Sequence, residues 1–210
     1  MRPRSVSLAP VNEILPGVWH WTAFHEKIGS DVSSYFVERA AALIDPMLPP
    51  DGIEAFRGRR PEVILLTSRH HYRHSDRFTE EFGCPVLCHE AGLHEFKGGP
   101  SVQGFAFGDD VANGVLALEV GALTPEETAF HVDAGPGALS FGDAIVNFPD
   151  SGLGFVPDKL IGDDPEAVKE GLRESFRRLL AHDFAALLMA HGDPMPSGGK
   201  AALIQFTAAG

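Results

Sequence analysis

Residues 63–77 read VILLTSRHHYRHSDR. Four apolar residues run unbroken into Thr67, the pattern of a short strand buried on both faces. The chain then changes character: three histidines and three arginines fall within the next stretch, residues 69–77. Residues 75–82 (SDRFTEEF) read as a helix. Ser75 suits the N-cap, Asp76 and the glutamates suit the positive helix end, and Gly83 supplies the stop. A polar loop between a buried strand and a helix can aim several side chains at one point. Neutral imidazoles suit zinc, iron, copper or nickel.

Working outward, the N-terminal side is strand-like. Residues 17–22 (GVWHWT), 34–37 (SYFV) and 41–44 (AALI) are short β-rich runs, the last stopped by Asp45-Pro46. On the C-terminal side, residues 85–89, 115–120, 128–132, 138–141, 144–146 and 184–190 read as strands, with a hairpin turn at residues 133–137 (DAGPG). Residues 165–180 make the best helix, with Pro165 in its first turn and Val168, Leu172, Phe176 and Leu179 at helical spacing. Strands, helix, strands, helix, strand predicts sheets flanked by helices, with the informative polar residues at strand ends. Asp143, after Phe141-Gly142, and His191, after the last strand, hold two such positions.

Composition bounds the functions. The chain has 210 residues, 44% hydrophobic and 22% charged, which suits one globular domain over residues 1–210 rather than a disordered chain. Seventeen basic against 29 acidic residues give a net charge of −12, which argues against a broad nucleic-acid-binding surface. The first ten residues carry two arginines with no apolar stretch behind them, so no secretory signal is expected. No apolar run approaches the roughly 20 residues a membrane helix needs. A cytoplasmic protein with a small-molecule or anion partner, and neither nucleic acid nor membrane, is the expectation. Cys84 and Cys88 would stand roughly 13 Å apart on one strand, beyond disulfide reach, and read as buried small hydrophobes.

Taken together, an early LPGVW, a YFV–ALIDP hairpin, VILLT entering the histidine loop, PVLCHE, TPEETAFHV, FGDAI and a closing MAHGDP resemble the metallo-β-lactamase superfamily across nearly the whole chain. The resemblance implies an α+β fold, a four-layer αββα sandwich with metals in a cleft at one edge. It also implies a His-x-His-x-Asp-His loop, a later histidine, a bridging aspartate and a final histidine. Carried over from His74, the loop puts Arg69 at the first histidine, His71 at the second, Arg73 at the aspartate and His74 at the last. Leu123, before Thr124-Pro125, falls at the third histidine, and Asp143 and His191 match the last two ligands.

The resemblance therefore leaves His71, His74, Asp143 and His191 as metal ligands, with Asp143 and His74 as the catalytic pair. It implies at most one ion, held by His74, Asp143 and His191: Zn, with Fe or Mn as alternatives. Arg73 opposes this, since it puts a cation where the family has an anion. A different reading follows from the same loop. Arg69 and Arg73, with His70 and Tyr72, can hold a phosphate or carboxylate with no metal, because guanidinium groups fork onto such anions. A hydrolase, an anion binder and a scaffold with a retired site are the three functions left. The near-zincin HEAGLH at residues 89–94 is set aside, because its histidines are five apart and do not share a helix face.

Overall fold

The computed structural model describes residues 10–209. The first nine residues, where the absence of a leader was read, lie outside them. Seven strands form the first sheet in chain order: β1 (Asn12–Leu15), β2 (Val18–His25), β3 (Ser30–Val37), β4 (Ala42–Ile44), β5 (Val63–Leu65), β6 (Val86–His89) and β7 (Val102–Phe105). β1 to β4 run antiparallel as hairpins, and β4 to β7 run parallel. Helix α1 (Ser75–Phe82) crosses between β5 and β6.

The second sheet comprises β8 (Asp110–Ala112), β9 (Val115–Glu119), β10 (Thr128–Val132) and β11 (Ala138–Phe141). A two-stranded ribbon, β12 (Val146–Phe148) and β13 (Gly152–Gly154), and helix α2 (Pro165–Leu179) follow. Strand β14 (Ala186–Met189) then joins the edge of the second sheet, parallel to β11, and α3 (Gly199–Ala208) closes the described chain.

Packing makes these elements four layers. Val18, Tyr35, Ile44 and Leu65 of the first sheet meet Val115, Phe130, Ala138 and Leu188 of the second in the central core. On the outer face of the first sheet, Phe36, Leu43 and Ile64 pack with Phe78 of α1. On the outer face of the second, Leu139, Phe141 and Leu187 pack with Leu172 and Phe176 of α2 and Leu203 of α3. Each element buries its apolar face against the next, giving the expected α+β αββα sandwich.

Some local readings need correction. Ser75 begins α1 but does not cap it: His74 holds the cap position, no side chain caps the helix, and Ser75 Oγ has no partner among the described residues. Residues 144–146 are not a strand of the main sheet. The Ala144 amide is drawn aside to the buried Glu127 carboxyl (3.1 Å), and pairing resumes at β12. The hairpin turn at residues 133–137 stands between β10 and β11 as read. Both cysteines are buried free thiols. No helix among the described residues is long and apolar enough to cross a membrane.

Candidate metal centre

Two of the parallel strand pairs, β4–β5 and β11–β14, end at the same edge of the sandwich. Crevices beyond the carboxyl ends of parallel strands are where open α/β sheets place ligands. The edge is tied across the sheets: Ser33 N–H donates to Ala190 O (2.9 Å), Tyr35 Oη donates to Met189 O (2.7 Å), and Thr128 N–H donates to Thr67 O (2.9 Å). Asp45 follows β4, Thr67 and the histidine loop follow β5, Asp143 follows β11, and His191 follows β14.

Three of these side chains converge. His71 Nε2 lies 3.3 Å from Asp143 Oδ1, and His191 Nε2 lies 2.9 Å from the same oxygen. One donor atom from each of His71, Asp143 and His191 falls within 4.8 Å of the others. Two glycines permit the approach. A Cβ on Gly142 would stand 2.5 Å from Thr67 Oγ1 and 2.9 Å from Glu127 Oε1, and one on Gly192 would strike the Asn147 carbonyl.

Behind His71 stands Asp45, a residue read from sequence only as a strand stop. It is buried and sits at φ 47°, a backbone conformation that costs a non-glycine residue about 1–3 kcal/mol. Its Oδ1 accepts from Thr67 N–H (2.9 Å), and Oδ2 accepts from Thr67 Oγ1 (2.6 Å) and lies 2.9 Å from His71 Nδ1. Burial by itself disfavours a charged His71 ring, but Asp45 and Asp143 on its two sides outweigh it and push the ring's pKa up to about 10. Burial likewise works to raise Asp143, and its contacts with His71 and His191 hold it well below the usual carboxylate range. Glu127, also missed in sequence, is buried beneath the turn with Oε2 unpartnered among the described residues. Its desolvation and the charge of Asp143 push it up to about 8, so it is mainly neutral at pH 7.

The remaining sequence-predicted residues divide. His74 is not in the converging trio. Its Nδ1 accepts from Leu48 N–H (3.0 Å), which leaves Nε2 uncommitted, and the residue lines the cleft. Arg73 sits at φ 45° with Nη1 donating to Ser33 O (2.8 Å) and Asp45 O (2.7 Å). Among the described residues, its Nη2 has no partner, and no ion pair joins Arg73 to Asp143. Arg69 is paired with the buried Glu126. His70 is exposed, and Tyr72 is half-buried with its ring against Phe96 (5.8 Å). All of them line one cleft of about 1220 Å³ with His71, Asp143 and His191 on its floor and Leu123 in its wall.

Solved structures carry the same architecture. The metallo-beta-lactamase family protein TTHA1429 from Thermus thermophilus superposes with a TM-score of 0.67 at 17% identity, covering 94% of this chain and 80% of that one. The chain has the metallo-β-lactamase fold. TTHA1623, solved in a di-iron-bound form, matches this metallo-β-lactamase-fold protein with a TM-score of 0.62 at 26% identity, over 81% of this chain and 92% of that one. A Cronobacter sakazakii metallo-β-lactamase with a HARLDQ motif matches at 0.65 and 19% identity, over 96% and 92%. No protein-family model and no curated protein matches the chain by sequence.

Proposed function

We propose that this metallo-β-lactamase-fold protein is a mononuclear metal-dependent hydrolase, with His71, Asp143 and His191 as the ligands of one zinc ion. The convergence of those three donors from three strand ends carries the reading. The donor set fits: two imidazoles and one carboxylate are a common catalytic zinc set, leaving a position open. The Asp143–histidine separations of 3.3 and 2.9 Å lie near the ligand–ligand edge of about 3.3 Å that zinc bond lengths imply. Iron or manganese would suit the same donors, and the 26%-identical relative with a di-iron form supports keeping iron in the test. A bound zinc ion supplies Lewis acidity and lowers the pKa of water toward neutrality.

The chain's own residues do the rest. His71 Nδ1–H donates to the Asp45 carboxylate, which turns Nε2 toward the cluster, the outer carboxylate arrangement that fixes a ligand's tautomer. His74, accepting at Nδ1 from a backbone amide, carries its proton on Nε2 when neutral. Burial lowers its pKa, so it lines the cleft as a neutral donor able to hold a polarised carbonyl or leaving-group oxygen. Tag-free protein loaded with zinc, iron or manganese and screened against nitrophenyl acetate, a thioester and a phosphomonoester tests this. Hydrolysis that a chelator removes and Asp143→Ala abolishes supports the reading, and inertness toward every class with all three metals overturns it.

A second reading rests on Arg73. Its unpartnered Nη2 in the cleft wall favours a metal-free anion site, whereas Arg69 is taken by Glu126. Phosphate or acetate binding by chelator-treated protein, lost in Arg73→Gln and kept in Asp143→Ala, would favour it over the hydrolase.

A further inference from the structure

Among the described residues, five large apolar side chains are exposed: Phe24, Ile28, Phe148, Leu160 and Ile204. The first four line the one cleft whose floor holds His71, Asp143 and His191. They come from separate parts of the chain. Phe24 lies next to the last residue of β2 and Ile28 in the β2–β3 hairpin turn, while Phe148 ends β12 and Leu160 lies in the helical turn after β13. Their exposures run from 44% to 64%, so no packing within the fold explains them. Val156 and Pro157 continue the same lining. Exposed apolar side chains scattered singly need no explanation, but a set gathered around one concavity marks a binding surface.

We propose that this mouth seats the apolar acyl chain of the substrate, so that the hydrolase reading, on which the chemistry rests, narrows to medium-chain carboxylic esters or thioesters. The four side chains border a concavity, which a chain can enter and a flat partner cannot. A bilayer is disfavoured by the net charge of −12, since surface helices and loops that bind anionic membranes are basic. The cleft, at about 1220 Å³, exceeds the usual range for small-ligand sites and has room for far more than an acetyl group. With the chain across the mouth, the carbonyl lies toward the floor, beside His74 and Arg73. Hydrolysis there adds water across the acyl C–O or C–S bond and yields a carboxylate, a proton and an alcohol or thiol.

Neutral straight-chain amides, which mimic the ester without reacting, test the mouth apart from the metal. Calorimetry on chelator-treated full-length protein with butanamide, hexanamide and octanamide should show affinity rising by about 10- to 200-fold across the series, the upper figure being full burial of the four added methylenes. In Phe24→Ser/Leu160→Ser the rise should fall below about threefold; both side chains are exposed, so an unchanged melting temperature is expected to accompany it. Undetectable octanamide binding, affinity independent of length, or an unchanged rise in the double variant overturns the proposal. So does a dimer, seen by light scattering, that the double variant dissolves. Because no metal is present, these results stand whether or not the hydrolase reading survives. Conversely, a metal-loaded enzyme that hydrolyses nitrophenyl acetate and nitrophenyl octanoate with equal kcat/KM keeps the hydrolase and sinks the acyl site.

Discussion

The two sides of the cleft floor look alike in sequence and differ in what the fold leaves free. On one side His71, Asp143 and His191 bring donors from three strand ends to one point. On the other, His74 spends Nδ1 on the Leu48 amide and Arg73 spends Nη1 on two backbone carbonyls. The same contrast separates the two arginines. Arg69 neutralises the buried Glu126, while Arg73 has no carboxylate within ion-pair distance among the described residues. A motif fixes which side chains come near a site; hydrogen-bond partners decide which remain available to a ligand.

The sharpest way to break the contrast is through Arg69. Arg69→Gln removes the partner of a fully buried carboxylate and should lower stability by about 3 kcal/mol or more, read from urea midpoints. Arg73→Gln should cost much less, because Arg73 leaves no acid unpaired. Equal losses would erase the distinction between the two.

Next is Asp45, which separates a ligand supported from behind from one that is not. Asp45→Asn should weaken zinc binding by about 10- to 100-fold in competition with a chromogenic chelator, the usual effect of removing a ligand's hydrogen-bonded carboxylate. An unchanged affinity would mean that His71 is not a ligand.

The pH dependence follows from the same side of the floor. His71 has its pKa raised from 6.5 to about 10 in the fold, so its contribution is complete below pH 6.5 and is lost as pH rises through 10. Glu127, raised from 4.5 to about 8, works in the same direction at lower pH. The melting temperature of chelator-treated protein should therefore fall steadily from pH 6.5 to 10, and His71→Gln should flatten the upper part of that fall. A melting temperature that rises over this range would contradict the paired imidazolium.

The smallest effect is expected at Arg73. Removing a cation near the cluster should strengthen zinc binding about threefold to tenfold, the size of the repulsion when water in the cleft screens it nearly as in bulk. Weaker binding in Arg73→Gln would show that the guanidinium supports the site.

How far the sequence was legible follows from the range of each interaction. Helices α1 and α2 were readable because the acidic first turn, the Gly83 stop, Pro165 at a helix start and apolar spacing are local. Helix α3 was missed because residues 201–206 are mostly apolar on every side and carry no helical period. Strands β1, β7, β8 and β13 are short and carry exposed residues, which weakens alternation. In the cleft, His71, Asp143 and His191 stood out by residue type at strand ends. Asp45 and Glu127 did not, since their roles come from residues 17 to 26 positions away in the chain. Nothing local to His74 signals the Leu48 amide that takes its Nδ1.

The most direct test is zinc stoichiometry by elemental mass spectrometry on tag-free protein, with Asp143→Ala, His191→Ala and His74→Ala in parallel. One equivalent in the wild type, lost in the first two variants and kept in His74→Ala, is the expected result. No zinc in the wild type after incubation with excess metal, or equal loss in His74→Ala, would contradict the placement of the metal centre on His71, Asp143 and His191.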